Sequence, residues 1–156
     1  MTKTNTTNAD LFEQSDIEGR QPMVNLLKQM GYEFEETERY NKVDIIFKDK
    51  KGHTYHCEVK NRAEKYRKYD RHIIEFPKLE HLLSQENPIY CNIFGNYIYL
   101  YGKQALQRAK TENMSRPKYN VIDGGTKYSS CASVDASYAT IYYWSYEDNK
   151  YIRVTL

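Results

Sequence analysis

The chain has 156 residues, 40% of them hydrophobic, with 23 Lys and Arg against 21 Asp and Glu and a formal charge of +2. That length fits one domain around a single core, and a mean hydropathy of −0.86 with no long apolar run excludes a membrane-spanning segment. The near balance of charge excludes a polycation, so any contact with nucleic acid must come from local basic clusters.

Residues 1–12, rich in Thr and Asn, are expected to be a flexible tail, with a single domain over 13–156. Met23, Val24, Leu26, Leu27 and Met30 recur at helical spacing. Pro22 suits the first turn of that helix and Gly31 its C-terminal cap. Residues 32–40 read as a polar edge strand anchored by Phe34. Residues 42–60 read as two apolar strands joined by the turn Asp49-Lys50-Lys51-Gly52. A basic loop, 61–71, leads to the extended stretch 72–76. Pro77 then opens a short helix carrying Leu79, Leu82 and Leu83, and the strand 89–94 follows. A helix between two strands suggests a crossover and a mixed sheet. Gly95-Asn96 turns the chain into a strand over 97–101, and a short helix is expected over 104–110. Residues 111–128 read as loop, with Pro117 and Asp123-Gly124-Gly125. A last hairpin is expected from 139–146 and 151–156, with Trp144 as a packing anchor.

The hairpin at 42–60 carries charges inside apolar strands, where an unpaired charge costs several kcal/mol. Side chains alternate along a strand. Tyr55, Cys57 and Val59 therefore take one face and His56, Glu58 and Lys60 the other. In the first strand Val43, Ile45 and Phe47 oppose Asp44 and Ile46. Pairing across the turn can bring Asp44 beside Glu58 and Lys60. Two carboxylates and a lysine so placed can hold a divalent metal and activate a water for phosphodiester hydrolysis. A solvated hairpin with one polar face accounts for the same residues, and a salt bridge to either acid accounts for Lys60.

Element order and these residues together resemble the PD-(D/E)XK nuclease superfamily. Its signature acid would fall on Asp44, and its (D/E)-X-K on Glu58-Val59-Lys60. Leu26-Leu27-Lys28-Gln29-Met30-Gly31-Tyr32 and the position of Arg62 are similar to Mrr-like and Holliday-junction-resolvase-like members. The resemblance implies an α/β fold with a mixed sheet and a restriction-endonuclease-like α-β-β-β-α-β core. That core would span about residues 15–95, with 96–156 as a β-rich extension. Two departures are visible: Val43 replaces the signature proline, and the place of a first-helix acid falls on Arg20. Glu18 is the nearest carboxylate there, with Glu13 and Asp16 further off, and an ordinary acid favoured by the helix dipole is an equal reading.

By this resemblance Asp44, Glu58 and the backbone carbonyl of Val59 would ligate Mg²⁺, with Mn²⁺ as a substitute, since such ions take hard oxygen ligands. Lys60 would orient water or stabilise charge on the phosphate. Arg62, Lys65, Arg67, Lys68 and Arg71, interleaved with Tyr66 and Tyr69, would contact a DNA backbone without reading its sequence. A solvated mobile loop is the alternative for that segment.

Cys57 and Cys91 fall in core strands and read as small buried hydrophobes. The odd cysteine count and the lack of a signal peptide suggest a reducing cytoplasm. His56 shares the face of Glu58, whereas His72 and His81 carry no evident role. The function expected is a metal-dependent DNA endonuclease, of restriction or structure-specific type, phage or bacterial, acting as a homodimer. RNA cleavage would use much the same chemistry. The alternative is a nuclease-fold module that binds nucleic acid or a protein without cutting.

Overall fold

The computed structural model describes residues 18–37, 43–119 and 126–154, and of 110–119 and 126–129 the backbone alone. The expected tail over 1–12, Glu13, Asp16 and the Asp123-Gly124-Gly125 turn lie outside the described residues.

Helix α1 spans Gln21–Met30, with a proline in its first turn and Gly31 as its C-cap at φ 74. That left-handed conformation suits glycine, and the Gly31 amide closes on the Lys28 carbonyl at 3.1 Å. The apolar stripe of α1, Met23, Val24, Leu26 and Leu27, is buried. Each such side chain contributes about 1.5–3 kcal/mol on burial.

Strands β1 (Glu33–Glu36), β2 (Ile45–Lys48) and β3 (Thr54–Arg62) form an antiparallel meander. A short 3₁₀ turn (Glu64–Lys68), β4 (Arg71–Glu75) and helix α2 (Phe76–Leu83) then lead to β5 (Pro88–Phe94), which pairs parallel to β3. Strand β6 (Tyr97–Tyr101), helix α3 (Lys103–Gln107), β7 (Lys110–Tyr119) and β8 (Thr126–Asp135) follow. The chain closes with β9 (Thr140–Ser145) and β10 (Lys150–Arg153). A seven-stranded mixed sheet runs β1-β2-β3-β5-β6-β9-β10, and a three-stranded antiparallel sheet runs β4-β8-β7. The core follows the expected α-β-β-β-α-β order, with β4 added ahead of α2. The β-rich extension is present, and among the described residues no helix is long and apolar enough to cross a membrane.

Alternation along β5 and β6 separates the large sheet into two faces. Cys91, Ile93 and Ile98 pack with α1, Ile45, Phe47, Cys57 and Val59. Tyr90, Phe94, Tyr99 and Tyr101 pack on the other face with Leu79 and Leu82 of α2 and with Ile74, Ala132 and Val134 of the small sheet.

Three expectations are corrected. Residues 111–119 and 126–128 are strand and not loop, being parts of the ten-residue strands β7 and β8. Pro117 is accommodated because β7 is the edge of the small sheet, where a missing backbone donor costs little. Val43 packs with Leu79 and Leu82 instead of joining Ile45 and Phe47, because it lies in a bend ahead of β2 where alternation has not begun. His72 has a structural place: it is 3% exposed, its Nδ1 lies 2.5 Å from the Tyr101 hydroxyl, and its ring packs on Phe94 and Tyr99.

Candidate active site

The β2–β3 register pairs Ile45 with Cys57, so the preceding residue, Asp44, lies across from Glu58. The Asp44 amide donates to the Cys57 carbonyl at 2.9 Å, the last rung before β2 bends away. Past that point the Asp44 side chain takes over: Oδ2 accepts from the Val59 amide at 2.7 Å. In a strand the N–H and C=O of one residue lie on the same side, so the Val59 carbonyl also faces the Asp44 side of β3. Glu58 is 6% exposed, and Lys60 Nζ lies 4.0 Å from its Oε1. Asp44, Glu58, the Val59 backbone and Lys60 therefore share one corner of the sheet.

Two further cations enter this corner from the helices. Arg20, at the N-cap of α1, is 7% exposed and sends Nη2 to Asp44 Oδ1 at 3.2 Å. Its Nη1 donates to the carbonyls of Thr37 at 3.3 Å and Asp44 at 3.4 Å. The Thr37 hydroxyl in turn donates to the Val43 and Asp44 carbonyls, which ties the bend down. Lys78, third residue of α2, donates to Glu58 Oε1 at 2.6 Å.

Electrostatics follow from this crowding. Burial, followed by the charge of Asp44, pushes the Glu58 carboxyl above its ordinary range, against the pull of Lys78 and Lys60. Burial and the neighbouring Lys78 ammonium pull Lys60 down. Burial also opposes charge on Lys78, but the Glu58 carboxylate outweighs it and raises the group. Lys78 is thus the firmly charged partner of Glu58, and Lys60 the looser one.

Sequence reasoning missed Lys78, and it met Arg20 only as a place where a carboxylate was wanted. A signal for both existed. A cation at a helix N-terminus opposes the helix dipole, so it needs a nearby acid. Arg20 and Lys78 both stand in that unfavourable position, and both reach an acid of the sheet.

Glu18 is exposed on the helical turn ahead of α1, one residue before Gly19, whose carbonyl accepts from Asn61 Nδ2 at 3.2 Å. Among the described residues no cluster of three or more His, Cys, Asp and Glu side chains is placed to hold a metal. Asp44, Glu58 and the Val59 carbonyl are oxygen donors at this corner.

The basic segment after β3 divides sharply. The Arg62 guanidinium is bound inward, with Nε donating to Asn92 Oδ1 and Nη2 to the Ile73 carbonyl and the Tyr90 hydroxyl, each at 2.9 Å. Arg67 lies over the Tyr97 ring at 3.8 Å. Arg71 donates to Ser133 Oγ at 2.7 Å and to its carbonyl at 2.8 Å, and faces Asp135 at 3.8 Å. Lys65 and Lys68 are exposed. His56, on the Glu58 face, has a buried Nδ1 without a hydrogen-bond partner.

The chain matches no protein-family model, and no curated protein matches it. Among solved structures it is similar to that of Hjc, a Holliday junction resolvase from the archaeal hyperthermophile Archaeoglobus fulgidus. The TM-score is 0.48 and the sequence identity 13%, over 77% of this chain and 85% of that one.

Proposed function

We propose that this protein is a divalent-metal-dependent nuclease that hydrolyses phosphodiester bonds in DNA at the corner formed by Asp44, Glu58, Val59 and Lys60. The observation that carries the reading is the placement of a buried glutamate across from an aspartate whose charge disfavours that of the glutamate. A divalent ion relieves that repulsion. The donor chemistry fits such an ion: two carboxylates and a backbone carbonyl are the hard oxygen ligands Mg²⁺ and Mn²⁺ take. When bound, it supplies polarisation of the phosphoryl oxygen and a lowered pKa for its water. Asp44 and Glu58 would hold it, with the Val59 carbonyl as a third donor from the protein. Lys60, near Glu58 but not tightly bonded to it, meets the phosphate and stabilises the charge that develops there. Two such centres are needed to cut both strands, so the active unit is a homodimer.

A second reading has its own observation. Arg20, Lys60 and Lys78 surround Asp44 and Glu58, and both oxygens of Asp44 already accept hydrogen bonds. A centre neutralised from within also suits a module that binds nucleic acid without cutting it. The experiment that separates the two is cleavage of plasmid, linear, single-stranded and four-way-junction DNA, in Mg²⁺, in Mn²⁺ and in EDTA, by wild type and Asp44→Asn. Metal-dependent cutting lost in the variant supports the nuclease. Cutting that survives in folded Asp44→Asn sinks the assignment of Asp44, and a folded wild type that never cuts favours the binding module.

A further inference from the structure

We infer that the exposed ridge Lys65–Tyr69 is a stacking platform for unpaired DNA bases, giving the proposed nuclease a preference for single-stranded or branched substrates. This rests on the reading of the protein as one that handles DNA. Tyr66 and Tyr69 are 39% and 53% exposed, among the few large aromatic side chains left open to solvent among the described residues. Their rings lie 6.2 Å apart between centroids and 27° from parallel. Lys65 lies 5.1 Å from the centre of the Tyr66 ring, and Lys68 lies 5.7 Å from that of Tyr69. Each tyrosine thus carries an ammonium on a flexible stem over its ring.

The surroundings turn the ridge outward. Arg62, Arg67 and Arg71 are engaged with the protein and pin its two ends and its middle. Glu64, an acid of the same segment, is folded back on the turn at Gly95. There φ is 58, and an added Cβ would lie 2.9 Å from Glu64 Oε2. Lysines and ring faces therefore dominate what the ridge presents. It follows directly in the chain on β3, the strand that carries Glu58 and Lys60.

The chemistry selects the partner. A phosphate backbone is attracted by lysines whether it is paired or not. Tyrosine faces add affinity only where base faces are open, because in a duplex those faces are already stacked on each other. Single-stranded segments and unpaired bases at a branch meet both requirements.

Binding of labelled oligothymidine and of a duplex of equal length, measured by fluorescence anisotropy in EDTA so that nothing is cut, tests the inference. The double variant Tyr66→Ala/Tyr69→Ala is expected to bind the single strand more weakly by on the order of tenfold or more and the duplex within about twofold of wild type. Tyr66→Phe/Tyr69→Phe, which keeps the ring faces, restores single-strand binding. Equal loss on both DNAs, or no loss on the single strand, overturns the inference. The two readings fail separately. A protein that binds single strands through the ridge yet cuts nothing in Mg²⁺ contradicts the nuclease alone. One that cuts, with binding unchanged in the alanine variant, contradicts the ridge alone.

Discussion

Asp44 is held by a guanidinium and Glu58 by ammonium groups, and the two sides of the corner differ in how freely they can exchange partners. Arg20 fills three acceptors at once, the Asp44 carboxylate and two backbone carbonyls, so it fixes the bend before β2 as well as the acid. Lys78 makes one short bond to Glu58, and Lys60 stands further from the same oxygen. A planar fork bonded at several points is a fixture, whereas an ammonium on a flexible stem is a movable counter-ion. The Arg20 side is the framework of the corner. On the function proposed above, the lysine side is where an incoming cation would take the place of a protein charge.

Substitutions sharpen that contrast, and the largest effect is expected at Asp44. Asp44→Asn keeps the shape and should lower cleavage in Mg²⁺ by more than about a hundredfold, since even groups behind metal ligands carry effects of about 10- to 100-fold. Asp44→Ala is a poorer test, because it strands the nearly buried Arg20. Its cost should be about 3 kcal/mol in urea unfolding, low in the range for broken buried pairs because Asp44 keeps some contact with water.

Arg62→Ala should come next. It removes charge-assisted bonds joining β3, β5 and β4, each worth about 1.5–3 kcal/mol, so the chemical denaturation midpoint should fall markedly. Lys65→Ala and Lys68→Ala should leave stability within about 0.5 kcal/mol and instead flatten the salt dependence of DNA binding by about one unit of slope each. If the Arg62 and Lys65 variants behaved alike, the division between inward and outward cations would be wrong.

Lys78→Gln separates the movable side from the fixed one. Losing that ammonium should tighten Mn²⁺ binding by roughly tenfold, about 1.4 kcal/mol, whereas Arg20→Gln should loosen the bend and weaken it. Calorimetry on both variants reads the opposite signs directly. The smallest effect concerns His72. Burial lowers its pKa from 6.5, so the unfolded chain binds the proton more readily than the folded one. The stability this contributes is complete above about pH 6.5 and is lost as pH falls below it. His72→Asn should reduce that slope in unfolding followed across pH 5–8.

Much of the framework was readable from residues. The stripe Met23, Val24, Leu26, Leu27 with Gly31 defines α1, and Asp49 to Gly52 joins the strands that align Asp44 with Glu58. These signals are local, a period and a turn. The β7–β8 pair was hidden because its edge strand contains a proline, a local sign of loop that only the sheet position reconciles. Arg20 and Lys78 were hidden because their partners are far along the chain, and a cation in a helix first turn says that an acid is near without saying which. The basic segment looked uniform in sequence. Only the positions of Asn92, Tyr97 and Ser133 separate its arginines from its lysines.

Direct cation binding tests the central claim most plainly. Calorimetric titration of Mn²⁺ into metal-free protein should show a single site per chain for wild type, lost in Asp44→Asn and in Glu58→Gln while both variants remain folded by circular dichroism. Binding that persists unchanged in both variants, or no binding by the folded wild type, would contradict a metal centre at Asp44 and Glu58.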